Sequence, residues 1–153
     1  MHYKPKNTAR GLVMHDGKLL LMERWRDNLH YFSIPGGGIE PGETPEQAVV
    51  RELAEETSCQ VRLGRKVYMV KDGAYQHHFF LCEYLSGEPR LSSDAPEVMQ
   101  DNPNNRFQPG WIDNTRLADI HMNVWEMVKP QLMRDLANGF SETVVEIIAP
   151  DPA

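Results

Sequence analysis

Short apolar runs separated by polar turn residues fill the first part of the chain, a pattern typical of strands joined by hairpins. Residues 8–15 and 18–23 are rich in apolar residues and flank Asp16 and Gly17. An Asp-Gly pair accepts the positive φ angles of a type I′ turn, which joins two antiparallel strands. The pattern therefore predicts a first hairpin over these residues.

A second hairpin is predicted further along the chain by the same signals. Residues 65–71 and 75–85 are apolar-rich and flank another Asp-Gly pair. Between the two hairpins, residues 31–35 predict a short strand. The three glycines that follow at 36–38 predict a flexible loop, because glycine has the widest backbone freedom.

The strongest helix signal comes directly after the glycine loop. Thr44 predicts an N-cap, Pro45 suits the first helical position, and Gln47 completes a Thr-x-x-Gln capping box. These signals predict a helix over residues 45–57. At about 100° per residue, its apolar side chains share one arc that is expected to pack on a sheet. They are Val49, Val50, Leu53 and Ala54.

A second helix is predicted over residues 124–137. Asn123 and Glu126 resemble a capping box, and an Asn-Gly pair at 138–139 predicts the end of the helix. Pro130 predicts either a kink in this helix or its true start, because proline cannot donate a backbone hydrogen bond.

A long segment rich in Gly, Pro, Ser, Asn and Asp, residues 86–110, predicts a loop. A loop of this length is typically a functional lid or a disordered insertion, and the composition is compatible with both. Residues 111–113 predict a short return strand, and residues 143–149 a final strand or tail. Strands and helices intermix, so the expected fold class is α/β (α+β), a sandwich around a mixed β-sheet.

Composition indicates a globular protein of ordinary core size. The chain has 153 residues, 41% hydrophobic and 25% charged, and we expect one domain over residues 1–153. No apolar run is long enough to span a bilayer, and no apolar segment of a signal peptide follows the basic start. Cys59 and Cys82 lack zinc-site spacing and do not form a disulfide framework, which favours buried thiols and a cytoplasmic location.

The net charge of −6 comes from 22 acidic and 16 basic residues. This balance argues against a nucleic-acid polymer as partner, because such binding requires a basic surface. It does not exclude a small phosphate-bearing molecule as ligand. Residues 40–56 hold six glutamates and one arginine, so most of the net charge lies in this segment. The sequence therefore indicates a nearly neutral domain with one acidic site.

Three carboxylates share one face of the first predicted helix: Glu52, Glu55 and Glu56. A solvated acidic surface is the ordinary interpretation. However, like charges three and four residues apart repel each other, and negative charge in the last turn is opposed by the helix dipole. A divalent cation would offset both effects, and clustered carboxylates suit Mg²⁺ or Mn²⁺. A backbone carbonyl of the glycines at 36–38 could reach the same ion.

The spacing of these residues resembles the signature of the Nudix hydrolases, Gx5Ex7REUxEExGU, in which U is a bulky aliphatic residue. Gly37, Glu43 and residues 51–56 match it in register. The end of the signature departs from it, because Ser58 replaces the last glycine and Cys59 the following aliphatic residue. This departure puts the exit of the helix in doubt and removes no carboxylate. The resemblance implies the Nudix-type α/β/α sandwich.

The resemblance also implies roles for the matched residues. Glu52, Glu55 and Glu56 correspond to the metal ligands of the family, and Gly37 offers its carbonyl. Glu52 is a candidate general base, although some family members take the base from a distant loop. Arg51 belongs to the matched catalytic set, and with Glu43 it resembles the pair that holds loop to helix, so a structural role for Arg51 is favoured over contact with substrate.

Several further residues are weaker candidates. Glu97 lies in the long loop, where family members often keep an extra metal ligand, and an exposed loop glutamate is the alternative interpretation. Arg24 and Arg26 flank Trp25, a combination that suits binding of phosphate and stacking of a base, although Trp25 could equally pack in the fold. Tyr31 is a candidate for lining a nucleotide pocket.

The sequence therefore predicts a divalent-metal-dependent hydrolase with Mg²⁺ or Mn²⁺ as cofactor. By resemblance, it splits the diphosphate linkage of a nucleoside diphosphate linked to another moiety, such as a nucleoside triphosphate, a nucleotide sugar or ADP-ribose. A nucleotide-binding or sensor module of the same fold without turnover is the alternative, and a diphosphate isomerase is a third option. The expected partner is a small nucleotide-type substrate, without a membrane, and the resemblance makes a homodimer plausible.

Overall fold

One mixed sheet runs through the part of the chain that the computed structural model describes, residues 6–91 and 104–150, and eight strands form it there. The strands are β1 (Asn7–His15), β2 (Lys18–Arg26), β3 (Leu29–Ser33), β4 (Gly36–Gly38), β5 (Gln60–Asp72), β6 (Tyr75–Ser86), β7 (Asn105–Asp113) and β8 (Val145–Ile148). The helices are α1 (Pro45–Thr57) and α2 (Lys129–Asn138), with short 3₁₀ segments at Asn114–Asp119 and Asn123–Met127.

The strand order is β3-β2-β1-β6-β5-β8, while β4 pairs with β1 and β7 with β2. The β1–β6 and β5–β8 pairs are parallel, and the other pairs are antiparallel. The expected mixed sheet is therefore confirmed. Both predicted hairpins are present as well: Asp16 and Gly17 have φ angles of 52° and 74°, as a type I′ turn requires.

Two hydrophobic clusters lie on opposite faces of the sheet, because successive strand residues point to opposite sides. On β1, Leu12 belongs to one cluster and Val13 to the other. The cluster of Val13 contains the buried apolar residues of α1, and the cluster of Leu12 contains those of α2 and of the 3₁₀ segment before it. Helices thus cover both faces, which gives the expected α/β/α sandwich.

Helix α1 begins and ends where the sequence predicts. The Thr44 side chain accepts a hydrogen bond from the Gln47 backbone N–H at 3.1 Å, and the Gln47 side chain accepts one from the Thr44 N–H at 2.9 Å. The buried stripe is rotated about the helix axis relative to the predicted one, and shares Val49 and Leu53 with it. Val50 is 40% exposed, whereas Ala48 is fully buried, because the helix rests on the sheet along its 48-49-53 edge.

Ser58 ends α1 in the left-handed conformation that the family signature assigns to glycine. Its φ and ψ are 61° and 12°, and its backbone N–H donates to the Ala54 carbonyl at 3.1 Å. The hydroxyl donates to the Arg90 carbonyl at 2.8 Å. The helix exit is therefore kept without glycine, and the side chain gains a partner outside the helix.

Two segments predicted as loops are strands. The glycines of β4 pair with residues 8–10 of β1, and residues 105–110 pair with β2 as the first part of β7. The prediction of a loop over residues 86–110 is therefore wrong for residues 105–110. Both strands form their backbone hydrogen bonds with strands that are distant in the sequence, so the composition of the segments themselves does not predict them.

The second helix is shorter than predicted, because Pro130 lies in its first turn and marks its start. The residues before it form the 3₁₀ segment Asn123–Met127. The predicted Asn123–Glu126 capping box is wrong: Asn123 has a positive φ of 52°, and the Glu126 carboxylate accepts the N–H of Met122 at 2.6 Å instead. Within the described ranges, no helix is both long and apolar enough to cross a bilayer.

Candidate active site

Arg51 joins helix α1 to the loop that precedes it. Its Nε and Nη2 atoms donate to the two carboxylate oxygens of Glu43 at 2.7 and 2.9 Å, and Nη2 also donates to the Gly38 carbonyl at 3.1 Å. Charge-assisted bidentate pairs of this kind are among the stronger hydrogen bonds in proteins. The hydrogen bonds from Arg51 hold the pKa of Glu43 below its usual range. The loop and the helix are thus locked together at Glu43.

The same arginine also faces two carboxylates of its own helix. Nη1 of Arg51 lies 3.1 Å from Glu52 Oε1 and 3.3 Å from Glu55 Oε2. The side chain of Glu52 is 12% exposed and that of Glu55 is 34% exposed, so Glu52 lies deeper. One guanidinium therefore offsets part of the negative charge on this face of α1.

The glycine strand β4 lies against the carboxylates. The backbone N–H of Gly36 donates to Glu56 Oε2 at 3.1 Å. A Cβ atom built on Gly37 would lie 2.5 Å from Glu52 Oε1, closer than a real Cβ approaches an oxygen. Glycine at position 37 is therefore required for Glu52 to occupy its place beside the strand.

The residues at this site suit a hard divalent cation. Three carboxylates and the backbone of a glycine strand supply only oxygen donors, which is the donor set that Mg²⁺ and Mn²⁺ prefer. Within residues 6–91 and 104–150, no three Asp, Glu, His or Cys side chains converge into a ready-made metal cluster. Instead, Glu52 and Glu55 face Arg51, and Glu56 faces Gly36. The oxygen donors of these residues, and the space that Gly37 leaves for the Glu52 carboxylate, therefore fit Mg²⁺ or Mn²⁺.

A second arginine of the site, Arg10 of β1, supports the glycine strand from the other side. Its Nη1 atom donates to the carbonyls of Ile34 and Gly36, both at 3.1 Å. Its guanidinium also lies 5.1 Å from the ring centroid of Trp125. Burial lowers the pKa of Arg10, while the negative charges of Glu56 and Glu52 act in the opposite direction. Arg10 is therefore a cation held next to the carboxylates.

The family of the chain follows from a comparison of its sequence with known protein families. The sequence model of the NUDIX domain matches residues 5–123, a range that contains β1 to β7 and helix α1. The chain belongs to the Nudix family.

Individual relatives agree with this assignment. The chain is 33% identical over 105 residues to the ADP-ribose pyrophosphatase of Methanocaldococcus jannaschii, which covers 64% of this chain and 62% of that protein. It is 38% identical over 93 residues to the 8-oxo-dGTP diphosphatase of Escherichia coli, covering 56% and 72%. The chain thus spans less than two thirds of the Methanocaldococcus jannaschii protein.

The fold itself is also that of the family. The structure resembles the crystal structure of a Nudix hydrolase from Nitrosomonas europaea with a TM-score of 0.70. The likeness covers 97% of this chain and 82% of that chain, at 17% sequence identity. The α/β/α sandwich predicted from the Nudix signature is confirmed.

Arg24, one of the predicted substrate-binding residues, lies in a cross-strand stack on the α1 side of the Nudix sheet. Its guanidinium lies 3.6 Å from the ring centroid of Phe107 and 5.8 Å from that of Tyr31, the residues paired with it on β7 and β3. Its Nη2 atom also donates to Asn105 Oδ1 at 2.6 Å. Arg24 and Tyr31 are thus brought together, and their substrate role stays a prediction.

Trp25 forms a second stack on the opposite face of the same strands. Its ring stacks on His30 at a centroid distance of 5.1 Å and an angle of 11°, and the Arg106 guanidinium lies 5.3 Å from it. The exposed Arg26 is at the end of β2, next to the turn. Trp25 and Arg24 therefore do not share one Nudix subsite. Glu97, the additional candidate ligand, lies outside the described residues.

Arg10 and Trp125 are functional candidates that the sequence prediction missed. Arg10 is a charged residue in an otherwise apolar part of β1, between Ala9 and Leu12. A charge at such a position is the sequence signal that could have indicated a functional role for Arg10. Trp125 belongs to the 3₁₀ segment, and its Nε1 donates to Ser33 Oγ at 3.2 Å. Only the folded chain shows that Arg10 lies near the Nudix carboxylates Glu52 and Glu56 and that Trp125 packs against Arg10.

Proposed function

We propose that this protein is a divalent-metal-dependent Nudix hydrolase. Its substrate is a nucleoside diphosphate linked to another moiety, and it cleaves the diphosphate linkage. The observation that carries the proposal is the arrangement of Glu52, Glu55 and Glu56 on one helix face, with Gly37 held against Glu52. Relatives named as a pyrophosphatase and a diphosphatase support the same reaction class.

Each part of the site has a task in this reaction. Glu52, Glu55, Glu56 and the carbonyl of Gly37 would hold the cation. A bound Mg²⁺ or Mn²⁺ would offset the charge of the diphosphate and lower the pKa of water for attack at phosphorus. Glu52, the most enclosed of the carboxylates facing Arg51, is the candidate general base. Arg51 and Glu43 keep the loop and the helix in register.

A panel of nucleotides tests the proposal. The parent, Glu52→Gln and Glu46→Gln are incubated with nucleoside triphosphates, nucleotide sugars and ADP-ribose in the presence of Mg²⁺, and the products are separated by chromatography. Glu46 is the matched control, because it is an exposed glutamate in the first turn of the same helix. We expect the parent and Glu46→Gln to cleave at least one substrate, and Glu52→Gln to lose about 10²-fold or more of the rate.

Two results would contradict this function. Tight nucleotide binding by the parent with no product from any substrate would indicate a binding or sensor module. A rearranged product without cleavage of the diphosphate would indicate an isomerase. EDTA provides the test of the cofactor: it should abolish turnover, and Mg²⁺ or Mn²⁺ should restore it.

The setting of the reaction is part of the proposal. Cys59 and Cys82 are both free and buried, which accords with a reducing cytoplasm. The expected substrate is a small nucleotide, not a nucleic-acid polymer or a membrane. A homodimer stays a prediction, and sedimentation of the purified protein at micromolar concentration tests it.

A further inference from the structure

The turn that leads into the glycine strand β4 is held by two consecutive residues of β1. Nη1 of Arg10 donates to the carbonyls of Ile34 and Gly36, both at 3.1 Å. The carbonyl between them, that of Pro35, accepts the backbone N–H of Gly11 at 2.9 Å. Three successive carbonyls of the turn therefore have their partners on β1. We call the two hydrogen bonds from Arg10 the carbonyl clamp.

The turn passes directly against the backbone of β1 at Gly36. Gly36 has a positive φ of 150°, and a Cβ built on it would collide with the Ala9 carbonyl oxygen and lie 2.8 Å from Arg10 Cα. The peptide groups on both sides of Gly36 thus have little room to rotate once their carbonyls are held.

The opposite side of the held turn faces helix α1. The N–H of Gly36 donates to Glu56 Oε2 at 3.1 Å, and the carboxylate of Glu52 occupies the space beside Gly37. The Arg10 guanidinium itself lies over Trp125, a residue of the cluster on the α2 side of the sheet. Arg10 therefore acts on the two carboxylates through the backbone of β4.

The charge of Arg10 has an effect of its own, and its sign is opposite to that of the clamp. Burial lowers the pKa of Arg10, but the negative charges of Glu56 and Glu52 raise it, so the guanidinium interacts with both carboxylates. The same positive charge repels a divalent cation held by them. Removal of the charge alone would strengthen cation binding, whereas removal of the clamp would weaken it.

We propose that Arg10 is a positioning residue of the hydrolase. Through the carbonyl clamp it fixes β4, and β4 keeps Glu52 and Glu56 in the arrangement that binds the divalent cation. The clamp should outweigh the repulsion, because its hydrogen bonds are direct, whereas the paired backbone of β1 and β4 lies between the guanidinium and the carboxylates. This inference rests on the proposed function, which assigns the cation to these carboxylates.

Binding of Mn²⁺ without substrate tests the carbonyl clamp. The loss of the free-ion electron paramagnetic resonance signal is measured for the parent, Arg10→Met and Arg65→Met. Arg65 is the matched control, because it also donates to two backbone carbonyls, those of Phe140 and Ser141, both at 3.1 Å. We expect Arg10→Met to bind Mn²⁺ about tenfold more weakly than the parent, and Arg65→Met to bind it like the parent.

Arg10→Lys tests the clamp at constant charge, and it serves as well if Arg10→Met does not fold. Lysine keeps the cation but lacks the fixed fork of N–H donors that the guanidinium has. A loss of Mn²⁺ affinity in Arg10→Lys therefore comes from the geometry of the clamp. We expect a loss smaller than that of Arg10→Met.

Added guanidinium distinguishes positioning from a general loss of structure. Arg10 lines a cavity of about 210 Å³, so guanidinium ion can enter the space that Arg10→Ala vacates. We expect a non-denaturing concentration of guanidinium chloride to strengthen Mn²⁺ binding by Arg10→Ala but not by the parent, relative to sodium chloride at the same ionic strength. Weak binding that guanidinium does not restore would overturn the positioning role.

The outcomes separate this inference from the function on which it rests. Mn²⁺ binding by Arg10→Met that equals or exceeds that of the parent would overturn the clamp, and cleavage of a nucleotide by the parent would leave the hydrolase intact. Weaker Mn²⁺ binding by Arg10→Met, with no cleavage of any nucleotide by the parent, would support the clamp and overturn the proposed hydrolysis.

Discussion

Gly37 and Glu52 approach each other so closely that a methyl group at position 37 would lie 2.5 Å from Glu52 Oε1 and 2.7 Å from Cδ. The two residues are in different elements, the glycine strand β4 and helix α1. The carboxylate thus uses the space that every other residue type would fill with a Cβ. This contact ties the glycine of the Nudix signature directly to its first helix carboxylate.

Substitution Gly37→Ala should therefore displace Glu52 and reduce turnover by about 10²-fold, since small misplacements of catalytic groups have effects of that size. Mn²⁺ binding, followed by the loss of the free-ion electron paramagnetic resonance signal, should weaken in parallel. Gly110→Ala is the control, because a Cβ at position 110 meets no atom within 4 Å. Gly37→Ala with parental turnover and Mn²⁺ affinity would contradict the conclusion that glycine at position 37 is required for the placement of Glu52.

The Arg51–Glu43 pair should contribute measurably to folding. Its side chains are only 24% and 14% exposed, and both carboxylate oxygens are paired. A double-mutant cycle with Arg51→Lys and Glu43→Gln should give a coupling energy of about 1 kcal/mol in urea unfolding. The exposed Arg62–Glu83 pair, at 3.1 Å, is the comparison and should show almost no coupling. Equal coupling in the two pairs would contradict the locking role of Arg51.

Ser58 allows a test of the helix exit. Its left-handed backbone is unfavourable for a residue with a Cβ, by about 1 kcal/mol. Ser58→Gly and Ser58→Ala both remove the hydroxyl that donates to the Arg90 carbonyl. We expect the glycine variant to be more stable to urea than the alanine variant by about 1 kcal/mol, because only glycine relieves the strain. Equal stabilities would mean that the helix end changes conformation in one of them.

Local signals in the sequence were sufficient for helix α1 and for both hairpins. The capping residues Thr44 and Gln47 and the Asp-Gly turns act within a few residues of themselves, so the chain determines these elements without distant contacts. The Nudix spacing then placed Glu52 and Glu55 on one face beside Arg51, as the structure shows.

Features that depend on distant contacts could not be predicted. Strand β4 exists because residues 8–10 offer it backbone partners, and the first part of β7 exists because β2 does. Arg24 and Trp25 looked like one substrate-binding unit in the sequence, but strand alternation places them on opposite faces. The hydrogen bonds of Arg10 to the carbonyls of Ile34 and Gly36 join residues that are more than 20 positions apart, so no local pattern indicates them.

His77 should make the protein less stable in mild acid. Burial first, and then the Arg10 charge, lower its pKa to about 4 from an ordinary value of 6.5, while Asp72 acts in the opposite direction. Above pH 6.5 the histidine is neutral in both the folded and the unfolded chain, so its contribution is constant. Between pH 6.5 and 4 the unfolded chain takes up a proton that the folded chain excludes, so stability falls with pH.

The size of this loss follows from the shift in pKa and should be about 3 kcal/mol at most, with no further loss from His77 below pH 4. The free energy of unfolding in urea is measured from pH 8 to pH 4 for the parent and for His77→Gln, without nucleotide. The variant cannot titrate at this position, and all other groups are shared, so the difference between the two curves isolates His77. We expect the parent to lose stability relative to the variant as the pH falls through 6. Parallel curves would mean that His77 accepts its proton in the folded protein as readily as in the unfolded chain, which its burial against Thr8 and Trp125 opposes.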